Sequence, residues 1–162
     1  GDVNGDGFDD LIVGALNGDD AGSTAGEAYV LFGAAFGSAG ERDVAKRAIQ
    51  GRVAGERCRL VIATDEDPRG EDPAAILEQI AEGAESTGRR RGEDLLLIPD
   101  REAAIRAALA RARPGDVVLL AGKGHERAIL YADHELAWDE RAVAERLLAE
   151  LGYATAGDPA LG

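Results

Sequence analysis

The sequence predicts an α/β protein: a Rossmann-like, mainly parallel sheet with helices on both faces, preceded by a short β-hairpin with an acidic loop. Three observations predict it. Continuous apolar runs at 60–64, 95–98 and 117–121 read as strands covered on both faces. Apolar residues at helical spacing separate and follow those runs. The first 36 residues, rich in Gly and Asp, hold two further apolar runs on either side of a loop of turn-forming residues.

Taken in order, the runs 11–15 and 28–32 form a strand–loop–strand pattern. A helix is expected over 44–57, although Gly51 and Gly55 disfavour it. After the strand at 60–64, Asp72 and Pro73 open a helix whose Leu77, Ile80, Ala81 and Ala84 fall on one face. The strand at 95–98 leads to Asp100, placed to cap a helix carrying Ile105, Ala108, Leu109 and Ala112. The strand at 117–121 follows. Asp139 then caps a last helix with Ala144, Leu147, Leu148 and Leu151 inward. Strands alternating with helices imply βαβ crossovers.

The chain divides by charge. Its 162 residues carry a net −13, and residues 1–36 contain seven acids with no Lys or Arg. Two pieces are expected, 1–36 and 37–162. The acidity argues against nucleic acid, since no basic surface faces phosphates. The single cysteine, Cys58, excludes an intramolecular disulfide and a cysteine-rich zinc site, and reads as a buried, inert thiol. No apolar run approaches the ~18 residues of a membrane helix. The chain opens on Gly1 within a motif, so a fragment of a longer protein is expected.

Asp2, Asn4, Asp6 and Asp10 occupy positions 1, 3, 5 and 9 of a loop with Gly7 at position 6. Alternate oxygen-bearing side chains can converge on a hard cation, and the Phe8 carbonyl can add a further oxygen, which suits Ca²⁺. An EF-hand would need a bidentate Glu at position 12, where Val13 stands inside an apolar strand, so that reading fails. An acidic turn without metal is the bland alternative. This run, followed by Gly26-Glu27-Ala28-Tyr29-Val30-Leu31-Phe32-Gly33, resembles one FG-GAP repeat of the integrin-type β-propellers. The resemblance implies that Asp2, Asn4, Asp6, Phe8 and Asp10 bind calcium; one repeat alone cannot build a propeller.

Three Gly- and charge-dense loops each follow an apolar strand: Gly37-Ser38-Ala39-Gly40-Glu41-Arg42-Asp43, then Glu66-Asp67-Pro68-Arg69 within 64–73, then Gly122-Lys123-Gly124-His125-Glu126. Ligands in open α/β sheets sit beyond the carboxyl ends of strands. In order and spacing these loops resemble the C-terminal domain of the Mur ligases, over about 37–153. The resemblance extends to the branch that adds the third amino acid to the UDP-MurNAc-dipeptide precursor of peptidoglycan. It implies that Arg42, Arg69, Gly122 and Glu126 contact the incoming amino acid, with Asp67 where the family carries Asn. A carboxylate at Asp67 removes donors and adds negative charge. Diaminopimelate, with its second carboxylate, then competes with lysine or another amine-bearing residue as the substrate. In the resemblance, strand 28–32 or 34–36 takes the place of the strand that feeds the first loop.

The chemistry is compatible with those roles. Arg42 and Arg69 are planar forks for carboxylates, Glu126 can accept from an ammonium, and Lys46 can face a phosphate. Each has a plainer reading: Arg42 and Lys46 as a solvated helix face, 65–72 as a capping loop, His125 as a structural hydrogen-bonding residue. Tyr131 and Trp138 are expected to pack. Amide ligation through an acyl phosphate needs ATP and Mg²⁺, and the sequence has no Gly-x-x-x-x-Gly-Lys-Ser/Thr loop. The chain is therefore expected to hold the amino-acid half of a ligase site and to be inactive alone. The other reading is a calcium-binding, propeller-derived interaction module. A ligase part implies a cytoplasmic setting; a dominant FG-GAP part would imply an extracellular one.

Overall fold

A computed structural model describes residues 11–14, 31–41, 44–113, 116–124 and 126–153. The elements run β1 (Leu11–Gly14), β2 (Leu31–Phe36), α1 (Val44–Arg57), β3 (Leu60–Ala63), α2 (Pro73–Glu85), β4 (Leu95–Leu97), α3 (Arg101–Leu109), β5 (Val117–Ala121), β6 (Ala128–Leu130), β7 (Glu135–Ala137) and α4 (Glu140–Glu150). The α/β class stands. Five strands form one sheet in the order β1-β5-β2-β3-β4, and β6 and β7 form a separate antiparallel pair.

Strands β2, β3, β4 and β5 are mutually parallel, as the crossover pattern requires. Residues 11–14 and 31–36 are strands, but among the described residues they do not pair with each other as the expected hairpin. Strand β1 lies antiparallel to β5, with Ile12 opposite Leu119, and β5 separates it from β2. The reason is that β3 and β5 occupy both edges of β2, so β2 has no free edge for β1, which takes the outer edge of β5. Residues 31–36 thus supply a central strand that feeds the first loop, in the place expected for 28–32 or 34–36.

Alternation along the strands divides the core. Ala34, Phe36, Val61, Ala63 and Leu119 face α1 and α2, packing on Ile76, Leu77, Ile80 and Ala84. Ala35, Leu60, Ile62, Val118 and Leu120 face the other way, onto Ile105, Leu109, Ile129, Trp138 and Leu147. Each fully buried large aliphatic side chain contributes about 1.5–3 kcal/mol, so a three-layer sandwich is stable without cross-links. Cys58 is buried, and burial pushes its thiol up to about 11, the inert state expected.

All three aspartate caps form. Asp72 accepts from Ala74 N–H (3.0 Å), Asp100 from Ala103 N–H (2.7 Å) and Asp139 from Ala142 N–H (3.0 Å). Helix α1 spans 44–57 despite its glycines, because they serve packing. A Cβ at Gly51 would stand 1.8 Å from the Ile80 carbonyl oxygen, so α1 and α2 meet backbone to backbone.

Strands β3 and β4 lie on one side of β2, while β5 lies on the other. The connections therefore diverge between β2 and β5. Their carboxyl ends open a crevice there, where this sheet class binds ligands.

Candidate functional site

The three charged loops leave the carboxyl ends of β2, β3 and β5, which are adjacent strands. They interlock. Gly40 N–H donates to the Asp67 carbonyl at 2.7 Å, and Glu41 N–H donates to the Glu71 carboxylate. Arg47, fully buried at the first turn of α1, donates to both Glu71 oxygens (2.8 and 3.0 Å), to Gln79 Oε1 (2.7 Å) and to the Ala39 carbonyl (3.2 Å). Those bonds, from Arg47 first and then Glu41 N–H, hold the Glu71 carboxyl down at about 2. Two non-glycine residues in these loops adopt left-handed backbone, Glu41 (φ 58°) and Arg69 (φ 54°), a conformation that costs energy and concentrates at functional sites.

Asp67 turns inward. Its carboxylate accepts from Lys123 Nζ and from Leu130 N–H (2.9 Å), and Lys123 also donates to Glu126. Lys123 is fully buried and Asp67 nearly so, whereas the Glu126 side chain keeps 33% of its surface exposed. Glu126 can thus meet both Lys123 and a ligand. Arg69 is anchored through its backbone, N–H to the Leu130 carbonyl at 2.9 Å, and bridges Tyr131. Its Nε is buried and has no hydrogen-bond partner among the described residues.

Glu66 lies between Gly37 of the first loop and Gly122 of the third. A Cβ on Gly122, which has φ 104°, would come within 2.8 Å of its carboxylate, so only glycine fits beside it. Burial, with the like charges of Asp67 and Glu126 added, outweighs Arg101 and Lys123 and raises Glu66 to about 7. Asp65 is raised by burial and accepts from the Tyr131 hydroxyl (3.2 Å). Burial and the Asp65 carboxylate lift Tyr131 to about 12, and its ring stacks on His134 at 4.7 Å. Tyr131 is more than the packing residue expected; Trp138 does pack, and also donates Nε1–H to Glu140 (2.6 Å).

Of the expected ligand contacts, Asp67, Arg69, Gly122 and Glu126 come together at this rim. Arg42, and likewise His125, lies outside the described residues, as do Asp2, Asn4, Asp6, Phe8 and Asp10 of the calcium-type loop. Among the described residues no cluster of three or more His, Cys, Asp or Glu side chains is arranged for a metal ion. Lys46 is exposed on α1. Sequence reasoning did not single out Lys123, Arg47, Glu71, Glu66 or the buried pair Arg101 and Glu140. For Lys123, the signal was its place between two ligand-type residues of one motif.

Fold and rim together define an open α/β domain with polar recognition loops at its switch point. The model of the family described as Mur ligase, glutamate ligase domain matches residues 27–124, and the chain belongs to this family. Residues 1–31 match the FG-GAP repeat model. The UDP-N-acetylmuramyl-tripeptide synthetase of Roseiflexus sp. (strain RS-1) is 64% identical over 120 residues, covering 74% of this chain and 24% of that protein. The UDP-N-acetylmuramoyl-L-alanyl-D-glutamate--2,6-diaminopimelate ligase of Solibacter usitatus is 44% identical over 118 residues, covering 73% and 23%. A solved structure of a ligase of that second name covers 76% of this chain and 25% of its own, with TM-score 0.63 and 30% identity. The chain therefore spans about a quarter of the length of the relatives it matches. No helix among the described residues is long and apolar enough to cross a membrane.

Proposed function

We propose that this chain is the amino-acid-binding C-terminal part of an ATP-dependent Mur-type peptide ligase, acting in the cytoplasm on the third amino acid of the UDP-MurNAc-peptide precursor. One observation carries the reading: the loops holding Arg69, Gly122 and Glu126 leave adjacent strands at the switch point, where Glu126 keeps 33% of its side chain exposed and the Arg69 Nε has no hydrogen-bond partner among the described residues. The names of the relatives support it. Arg42, next to Glu41 in the first loop, is the second carboxylate-binding fork in this reading, and Lys46 faces the phosphate side.

The residues present do not fit ATP. The lysine of the Gly122-Lys123 pair is buried against Asp67 and Glu126, so its ammonium is not free for a phosphate. ATP and Mg²⁺ belong to the longer protein in this reading, and the chain alone does not ligate. The crevice gathers Glu66, Asp67 and Glu126 around the one ammonium of Lys123, which favours an amino acid whose side chain ends in an ammonium alone, such as lysine, over diaminopimelate with its additional carboxylate. Calorimetric titration with lysine, diaminopimelate, ATP and calcium tests the reading: an amino acid binds and ATP does not. ATP binding without amino-acid binding would overturn it.

The match of residues 1–31 to the FG-GAP repeat favours a second activity, calcium binding by Asp2, Asn4, Asp6, Phe8 and Asp10 in an interaction module. Calcium heat in the same titration, with chelation lowering the melting temperature, is its readout.

A further inference from the structure

Arg101 is the first residue of α3 and Glu140 the first of α4; both are almost wholly buried. The guanidinium grips the carboxylate at two points, Nε to Oε2 at 2.9 Å and Nη2 to Oε1 at 2.6 Å. Two further donors go to backbone. Nη1 donates to the Asp65 carbonyl (3.1 Å) and Nη2 to the Ala121 carbonyl (2.8 Å). Those two residues immediately precede Glu66 and Gly122, where the second and third loops begin.

Strand β2 lies between β3 and β5, so no ladder hydrogen bond joins those two strands. We propose that the Arg101–Glu140 pair is the positioning device of the amino-acid site, a link that fixes the ends of β3 and β5 so that Arg69 and Glu126 face one ligand. This rests on the amino-acid-binding reading above. A planar fork suits the task, because its donors point in fixed directions that a lysine ammonium cannot reproduce. Trp138 Nε1–H holds Glu140 Oε2 at 2.6 Å and so fixes the carboxylate that orients the fork. Stability alone does not account for the pair, since replacing a buried ion pair by well-packed hydrophobic residues of similar volume is often neutral or stabilising.

That energetic fact supplies the test. The double variant Arg101→Met/Glu140→Gln leaves no buried unpaired charge and keeps an acceptor for Trp138. It is expected to stay folded, with a melting temperature within about 5 °C of the parent, and to lose at least ~10-fold in lysine affinity by calorimetry. Amide hydrogen exchange at Glu66 and Lys123 should quicken while Ile62 and Leu120 stay protected. Arg101→Lys, which keeps the charge but not the fork, should show the same loss and decides the matter if the double variant does not fold. Parent-like affinity and exchange in a folded variant overturn the positioning role and leave the binding reading intact. A parent protein that binds no amino acid overturns both.

Discussion

Lys123 and Asp67 meet beneath the crevice, the ammonium of one donated to the carboxylate of the other across the ends of β5 and β3. Neither has useful access to water, and Glu126 adds a second carboxylate on the exposed side. Removing the cation alone leaves the Asp67 carboxylate buried with, among the described residues, the Leu130 N–H as its hydrogen-bond donor. Lys123→Met is therefore expected to cost about 3–5 kcal/mol of folding stability. Urea denaturation measures this, and a loss below ~1 kcal/mol would show that the pair is hydrated.

Asp67→Asn acts on selectivity. The amide keeps the acceptor for Leu130 N–H but releases part of the hold on Lys123, so the crevice becomes one charge more positive. The ratio of diaminopimelate to lysine affinity should rise by roughly tenfold, the equivalent of 1.4 kcal/mol. Competition binding against both amino acids reads it directly. An unchanged ratio would show that Asp67 does not set the choice.

The Glu66 carboxyl gives stability a pH dependence of defined sign. Its folded value of about 7 lies above the ordinary 4.5. Between those values the folded protein holds a proton that the unfolded chain has released. Stability therefore falls as pH rises from about 4.5 through about 7, then levels off, by an amount on the order of 2–3 kcal/mol. Glu66→Gln removes this slope. Melting temperatures of parent and variant across pH 5–8 check it; parallel curves would contradict it.

The α1–α2 crossing predicts a steric limit. Gly51→Ala places a methyl group 1.8 Å from the Ile80 carbonyl oxygen, so the helices must separate. A loss of about 1–3 kcal/mol follows, despite the higher helix propensity of alanine. A stabilised variant in thermal melts would mean that the helices are not in backbone contact.

The alternation of strands and helices was legible because each element carries local signals: apolar runs such as 117–121, and caps such as Asp100 and Asp139. The convergence of the three loops was legible once they were assigned to neighbouring strand ends. Strand pairing was not. Nothing near residues 11–14 encodes that β5 will intervene between them and β2, because the competition for an edge is settled by residues a hundred positions away. Arg101 and Glu140 were hidden for a related reason. Each follows a capping aspartate at a helix start, a place that reads as solvated, and they meet only when α3 and α4 pack on the same face. Glycines 51 and 55 look like helix breakers until the partner helix is known.

The central claim is that the rim shared by Arg69 and Glu126 holds an amino acid. Calorimetric titration of lysine into the parent chain and into Arg69→Ala, at matched folded fraction, tests it most directly. Saturable one-site binding to the parent and a weakening of at least ~10-fold in the variant are expected. Equal affinity in both proteins, or no heat of binding to the parent at millimolar lysine or diaminopimelate, would contradict it.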